Sequence, residues 1–106
     1  MYSIDKALFY RATGTEFYSD VGFKFRQLAI KSLNKVLAET QSLNNSDLFD
    51  CVHRVKGITL ACGVSDAAYV CKKLEQYSDL MCHAKVNEQL IKVIVSVIEL
   101  YESESL

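Results

Sequence analysis

The sequence predicts an all-α domain, and three observations carry that prediction. Proline is absent and glycine occurs only four times, so little in the chain interrupts a helix. Apolar residues recur at three- and four-residue steps, while the alternation of a half-buried strand is weak. The segments between periodic stretches are short, which makes consecutive helices antiparallel neighbours. The expected architecture is an antiparallel up-down four-helix bundle with a short extra N-terminal helix. Its 106 residues, half of them hydrophobic, suit one packed domain over residues 1–106.

Ser3 to Arg11 reads as the short first helix, with Asp5 in its opening turn. Thr13-Gly14-Thr15-Glu16 has the Ser/Thr-x-x-Glu form of a capping box. It predicts a long second helix from there to about Gln41, whose buried stripe is Phe17, Val21, Phe25, Leu28, Ser32 and Val36. Gly22 lies inside this helix at some cost in propensity.

Ser42-Leu43-Asn44-Asn45-Ser46 is a loop rich in cap residues. Asp47 and Asp50 then fall in the first turn of a third helix, where negative charge suits the helix dipole. That helix runs to about Cys62 and buries Leu48, Cys51, Val52, Val55 and Thr59. Gly63 stands where a C′ glycine ends a helix. Ser65 is the expected cap of a fourth helix, with Ala67, Val70, Cys71 and Leu74 on its inner side. A last helix from about Asn87 to Glu102 buries Leu90, Val93, Ile94, Val97 and Leu100 or Tyr101. His83 is placed in the loop before it. Tyr69, Tyr77 and Tyr101 have room to be partly exposed and carry no assigned role.

Composition narrows the function. The net charge is −1 and the two signs are mixed along the chain, which argues against a nucleic-acid binder with its basic face. No apolar run approaches the ~18–20 residues of a membrane span; Val93–Leu100 is short and holds Ser96 and Glu99. Met1-Tyr2-Ser3-Ile4-Asp5 lacks the basic-then-apolar pattern of a secretory signal. A cytoplasmic protein is expected, free or as part of a longer chain. Cys51, Cys62, Cys71 and Cys82 form no CxxC pair, so buried reduced thiols are expected.

One stretch carries chemistry: Val52-His53-Arg54-Val55-Lys56-Gly57-Ile58-Thr59-Leu60-Ala61-Cys62-Gly63. On a helix that buries Leu48, Val52, Val55 and Thr59, the residues His53, Lys56, Gly57 and Leu60 share another face, with Phe49 one turn before His53. A neutral imidazole is a good nucleophile near pH 7. Lys56 supplies a flexible cation for phosphoryl oxygens. Gly57 has no side chain, so an incoming protein can bring its own acidic site close. Phe49 and Leu60 give an apolar rim for docking a partner.

His53-x-x-Lys56-Gly57, with Gly63 ten residues after the histidine, is similar to the motif of the histidine-containing phosphotransfer (HPt) family. The segment from Ala67 to Glu75, ending Lys73-Leu74-Glu75, looks like that family's next helix. A weaker likeness extends to Ile4-Asp5 and the long second helix. The resemblance implies a phosphocarrier of a two-component phosphorelay, either freestanding or the cytoplasmic C-terminal module of a hybrid sensor histidine kinase. It implies that His53 is phosphorylated on Nε2, that Lys56 stabilises the phosphoryl group and that Gly57 leaves space for a receiver domain. Glu75 matches a position that accepts a hydrogen bond from the other ring nitrogen. The partners implied are receiver domains of response regulators or of a hybrid kinase, which supply the aspartate and Mg²⁺, while this chain binds no cofactor and acts as a monomer. Val52 before the histidine and Ile58 after the glycine depart from the smaller residues common in the family.

No GxxxxGK[ST] loop occurs, and Gly14 and Gly22 are isolated, so self-phosphorylation from ATP is not expected. The alternative to a phosphocarrier is a non-catalytic interaction module that binds a partner through Phe49 and Leu60. A zinc set of Cys51, His53, Cys82 and His83 fits no usual spacing, and two residues two apart on a helix diverge. Arg54, Lys72 and Lys73 either add positive potential near His53 or form a solvated face.

Overall fold

The computed structural model describes residues 2–41 and 48–104. Five helices and no strand are found among them: α1 (Lys6–Thr13), α2 (Asp20–Thr40), α3 (Leu48–Ala61), α4 (Ser65–Tyr77) and α5 (His83–Ser103). A 3-10 turn, Ser78–Leu80, follows α4. The expected loop at 42–46, and Asp47, lie outside the described residues. Among the described residues, no helix is long and apolar enough to cross a membrane.

The helix ends follow the capping chemistry, at different residues from those expected. Asp5 is the N-cap of α1 rather than a residue of its first turn, and its Oδ1 accepts from the Leu8 amide at 3.0 Å. Thr13 closes α1 instead of opening α2. Its hydroxyl donates to the Phe9 carbonyl at 2.8 Å, and Gly14 follows in the left-handed region at φ 73°. The cap of α2 is Ser19, whose Oγ accepts from the Gly22 amide at 3.0 Å. The Thr13–Glu16 pattern is therefore no capping box. A hydroxyl that turns back to the carbonyl one turn earlier competes with the capping role.

Gly63 ends α3 at φ 82° as expected, and an added Cβ there would lie 2.6 Å from the Asp5 carbonyl oxygen. The Asp5 amide donates to the Gly63 carbonyl at 2.7 Å, which ties the entry of α1 to this turn. Val64, not Ser65, is the N-cap of α4, with no side-chain hydrogen bond. The last helix starts at His83, four residues before the expected Asn87, so His83 is helical. No breaker lies between them, and Val86 extends the buried row of α5 by one turn.

The contacts fix the helix directions. Arg54 of α3 pairs with Glu39 near the end of α2, and Ser32 and Lys35, earlier in α2, lie with Gly57 and Ala61, later in α3, so α2 and α3 are antiparallel. Lys56 of α3 reaches Glu75 of α4. The Asn87 amide of α5 donates to the Thr40 carbonyl at 3.3 Å, and Arg26 at the other end of α2 donates to the Glu104 carbonyl at 3.4 Å. The core between the helices holds Leu33, Val36, Val52, Val55, Ala67, Cys71, Leu90, Ile94 and Val97. Each large aliphatic chain there contributes about 1.5–3 kcal/mol from burial. Tyr101 is fully buried and donates to the Cys62 carbonyl at 2.6 Å, whereas Tyr69 and Tyr77 are exposed.

The rows of α3 and α5 lie as expected, but α2 is rotated. Its buried row is Gly22, Arg26, Ala29, Leu33, Val36 and Thr40. Of the expected stripe, Phe17 and Val36 are buried, while Val21, Phe25, Leu28 and Ser32 are exposed. Two contacts set this phase. An added Cβ on Gly22 would lie 2.0 Å from the Glu16 carbonyl oxygen, so the entering chain crosses α2 there. The guanidinium carbon of Arg26 stacks 4.4 Å from the Phe17 ring centre and 5.3 Å from that of Phe23. Cation–π contact lets a charged residue occupy an inward position.

Candidate functional site

The outward face of α3 carries the histidine. Because Val52, Val55 and Thr59 turn inward, His53 emerges with 70% of its side chain exposed. Gly57 lies one turn further along on the same face, and an added Cβ there would find nothing within 4 Å. Phe49 and Leu60 flank this stretch on the two sides, each about half exposed. An imidazole thus stands in solvent beside a length of bare helix backbone.

The fourth residue comes from α4. Glu75 Oε1 stands 3.4 Å from His53 Nδ1 and 3.1 Å from Lys56 Nζ. Its Oε2 accepts a hydrogen bond from Lys56 Nζ at 3.3 Å. Oε1 is buried and accepts no well-aligned hydrogen bond among the described residues; with the Lys56 ammonium on one side, it keeps acceptor capacity for a proton on Nδ1. Lys56 is itself half-buried and bound to this carboxylate. The structure therefore joins His53, Lys56 and Glu75 in one cluster, with Lys56 directed at Glu75 rather than standing alone beside the ring.

The arrangement has a chemical consequence. With Nδ1 turned toward a carboxylate, the tautomer protonated at Nδ1 is favoured, and Nε2 presents its lone pair to solvent. One turn before Glu75 on α4, the Cys71 thiol is pushed up to about 12, by burial first and by the Glu75 charge second. It is an inert packing group here. Cys51 and Cys62 are also buried, and Cys82 is exposed. Among the described residues, no group of three or more His, Cys, Asp or Glu side chains could hold a metal ion.

Two of the three neighbouring cations are occupied, while Lys72 is exposed and forms no ion pair among the described residues. Arg54 is bound by Glu39 and lies 3.3 Å from Asp50. Lys73 sits over the Tyr69 and Tyr77 rings. Periodicity alone misses the contribution of α2. Ser32 and Lys35 line a shallow groove with Arg54, Gly57, Ile58 and Ala61 of α3, although the apolar spacing puts Ser32 in the core. Lys35 is the available signal, since a lysine one turn from Ser32 is at odds with a buried stripe.

Comparison of the chain with protein-family models, with curated proteins and with solved structures finds no match in any of the three.

Proposed function

We propose that this chain is a phosphocarrier, taking a phosphoryl group onto His53 from the aspartyl phosphate of a receiver domain and passing it to another receiver aspartate. The observation that carries the reading is the exposed His53 ring, with Nδ1 beside Glu75 and empty space over Gly57. The likeness of His53-x-x-Lys56-Gly57 and Gly63 to the HPt motif supports it. So does the order of the helices, which suits an antiparallel four-helix bundle preceded by a short helix. A cytoplasmic setting, where receivers work, belongs to the same reading.

The transfer balances as an in-line displacement. The Nε2 lone pair attacks phosphorus, a P–N bond forms, and the P–O bond to the receiver aspartate breaks. The aspartate leaves as a carboxylate, and the proton on Nδ1 stays in place, its positive character stabilised by Glu75. Lys56 can move from Glu75 toward a phosphoryl oxygen, because an ammonium on a four-carbon stem is flexible. Mg²⁺ and the acidic pocket come with the receiver.

The test is label uptake from a ³²P-charged receiver with Mg²⁺. Wild type acquires acid-labile, base-stable phosphate, His53→Gln acquires none, and Lys56→Ala acquires it more slowly while remaining folded. Uptake by His53→Gln equal to wild type sinks the proposal. A second reading, a non-catalytic adaptor, draws on the half-exposed Phe49 and Leu60; tight receiver binding with no phosphate on the chain selects it.

A further inference from the structure

Among the described residues, one buried charge lacks a carboxylate partner. Arg26 is 4% exposed, yet it forms no ion pair there. Its Nη1 donates to the Glu104 carbonyl at 3.4 Å. Its Nε is buried and has no hydrogen-bond partner among the described residues. The Phe17 and Phe23 rings offset part of the charge, but a ring face is a weak acceptor. Buried cations are normally paired and hydrogen-bonded. The unpartnered donor and the uncompensated charge both suit an anionic ligand.

The same arginine lines an open cleft of about 650 Å³, within the size range of small-molecule sites. Ser19 and Asp20 bring the amino end of α2 to this cleft. Ser19 takes the Gly22 and Phe23 amides, which leaves the two earlier amides of the helix to favour negative charge. The exposed Tyr18 and Phe23 rings give the cleft apolar walls. The surrounding charges set the valence of the ligand. Lys24 and Arg26 are positive, whereas Asp20 and Glu104 are negative. Glu104 accepts from the Tyr18 hydroxyl at 2.8 Å. It also lies near Lys6, whose pKa is raised by Tyr18 first and by Glu104 as well. With Lys6 set against Glu104 and Lys24 against Asp20, the buried positive charge is left over. A monoanion matches it and a dianion does not.

We propose that this cleft binds a small organic monocarboxylate, its carboxylate on the Arg26 guanidinium and its apolar body against Tyr18 and Phe23. A guanidinium pairs with a carboxylate through two parallel N–H donors, and Nε–H can be one of them. The guanidinium is recessed beside exposed rings, so a free small molecule reaches it where a flat protein surface does not. None of the residues lining the cleft belongs to α3 or α4, so the proposal is independent of the phosphocarrier reading.

Benzoate is the probe, titrated into the full chain while amide chemical shifts are followed. Saturable shifts are expected at residues 18–27 and at Glu104, with a melting temperature that rises with benzoate concentration. Benzamide has the same shape without the charge, and acetate has the charge without the ring. Each should bind about tenfold more weakly or worse. Arg26→Met replaces the buried cation with an apolar chain of similar length, an exchange that cores tolerate. It should remain folded and lose benzoate binding. Should that variant unfold, Asp20→Asn supplies the second measurement. Removing an opposing carboxylate at an exposed position should tighten benzoate binding about threefold. No saturable shift below about 10 mM benzoate overturns the proposal. So does equal binding of benzamide or inorganic phosphate, undiminished binding by folded Arg26→Met, or unchanged affinity in Asp20→Asn.

Discussion

Helices α2 and α3 each hold one glycine, in the first turn of α2 and past the middle of α3, and they turn it in opposite directions. In α2 the glycine faces inward and the large apolar residues Phe25 and Leu28 face solvent. In α3 the glycine faces solvent and the apolar residues Val52 and Val55 face inward. Gly22 is demanded by contact, since an added Cβ would meet the Glu16 carbonyl at 2.0 Å. Among the described residues Gly57 meets nothing within 4 Å, so no packing between them requires it. The same residue type is thus architectural in one helix. In the other it is explained by something that arrives from outside.

The largest effect should come from testing the phase of α2. Leu33 is fully buried, so Leu33→Ala should lose about 2–5 kcal/mol in urea unfolding. Leu28→Ala, at an exposed position on the same helix, should change stability by no more than about 0.5 kcal/mol. Equal losses for the two leucines would mean that α2 is rotated from the orientation described.

Gly22→Ala should come next. The neighbour that must give way is backbone rather than a flexible side chain, and such overpacking costs about 1–3 kcal/mol. The gain in helix propensity, up to about 1 kcal/mol, offsets part of that. A net loss of melting temperature is expected, and a variant more stable than wild type would show that the crossing of α2 by residues 16 and 17 is loose.

The contrast also explains what the sequence made legible. In α3 the inward row is apolar or Thr59 and the outward row holds His53, Lys56 and Gly57, so pattern and structure agree. In α2 both rows carry apolar residues, and the exposed one, with Val21, Phe25 and Leu28, is the more hydrophobic. The choice between them rests on tertiary facts: a carbonyl against Gly22, and two rings stacked on Arg26. Periodicity has no access to either. Capping signals failed at Thr13 for a related reason, since a hydroxyl's partner depends on local geometry as well as spacing. At the site, the spacing of His53, Lys56 and Gly57 places them on one face, but the link from Glu75 to Lys56 needs α3 and α4 to be packed side by side. Spacing within one helix says nothing about that, and Glu75 stands out in the sequence through family resemblance alone.

Of the two glycines Gly57 should give the smaller change in stability, and it is the more informative about function. Alanine in an exposed helix interior is favoured over glycine by up to about 1 kcal/mol, and the open space around Gly57 offers nothing to oppose that gain. Gly57→Ala should therefore unfold at a higher urea concentration than wild type. If the bare backbone serves the approach of a receiver, the same variant should transfer phosphate more slowly, and Gly57→Leu more slowly still, while labelling by phosphoramidate stays unchanged. A more stable protein that works less well separates access from folding, because no contact among the described residues is lost. Unfolding of Gly57→Ala at a lower urea concentration, or undiminished transfer by Gly57→Leu, would mean that partner access is not why a glycine occupies this position.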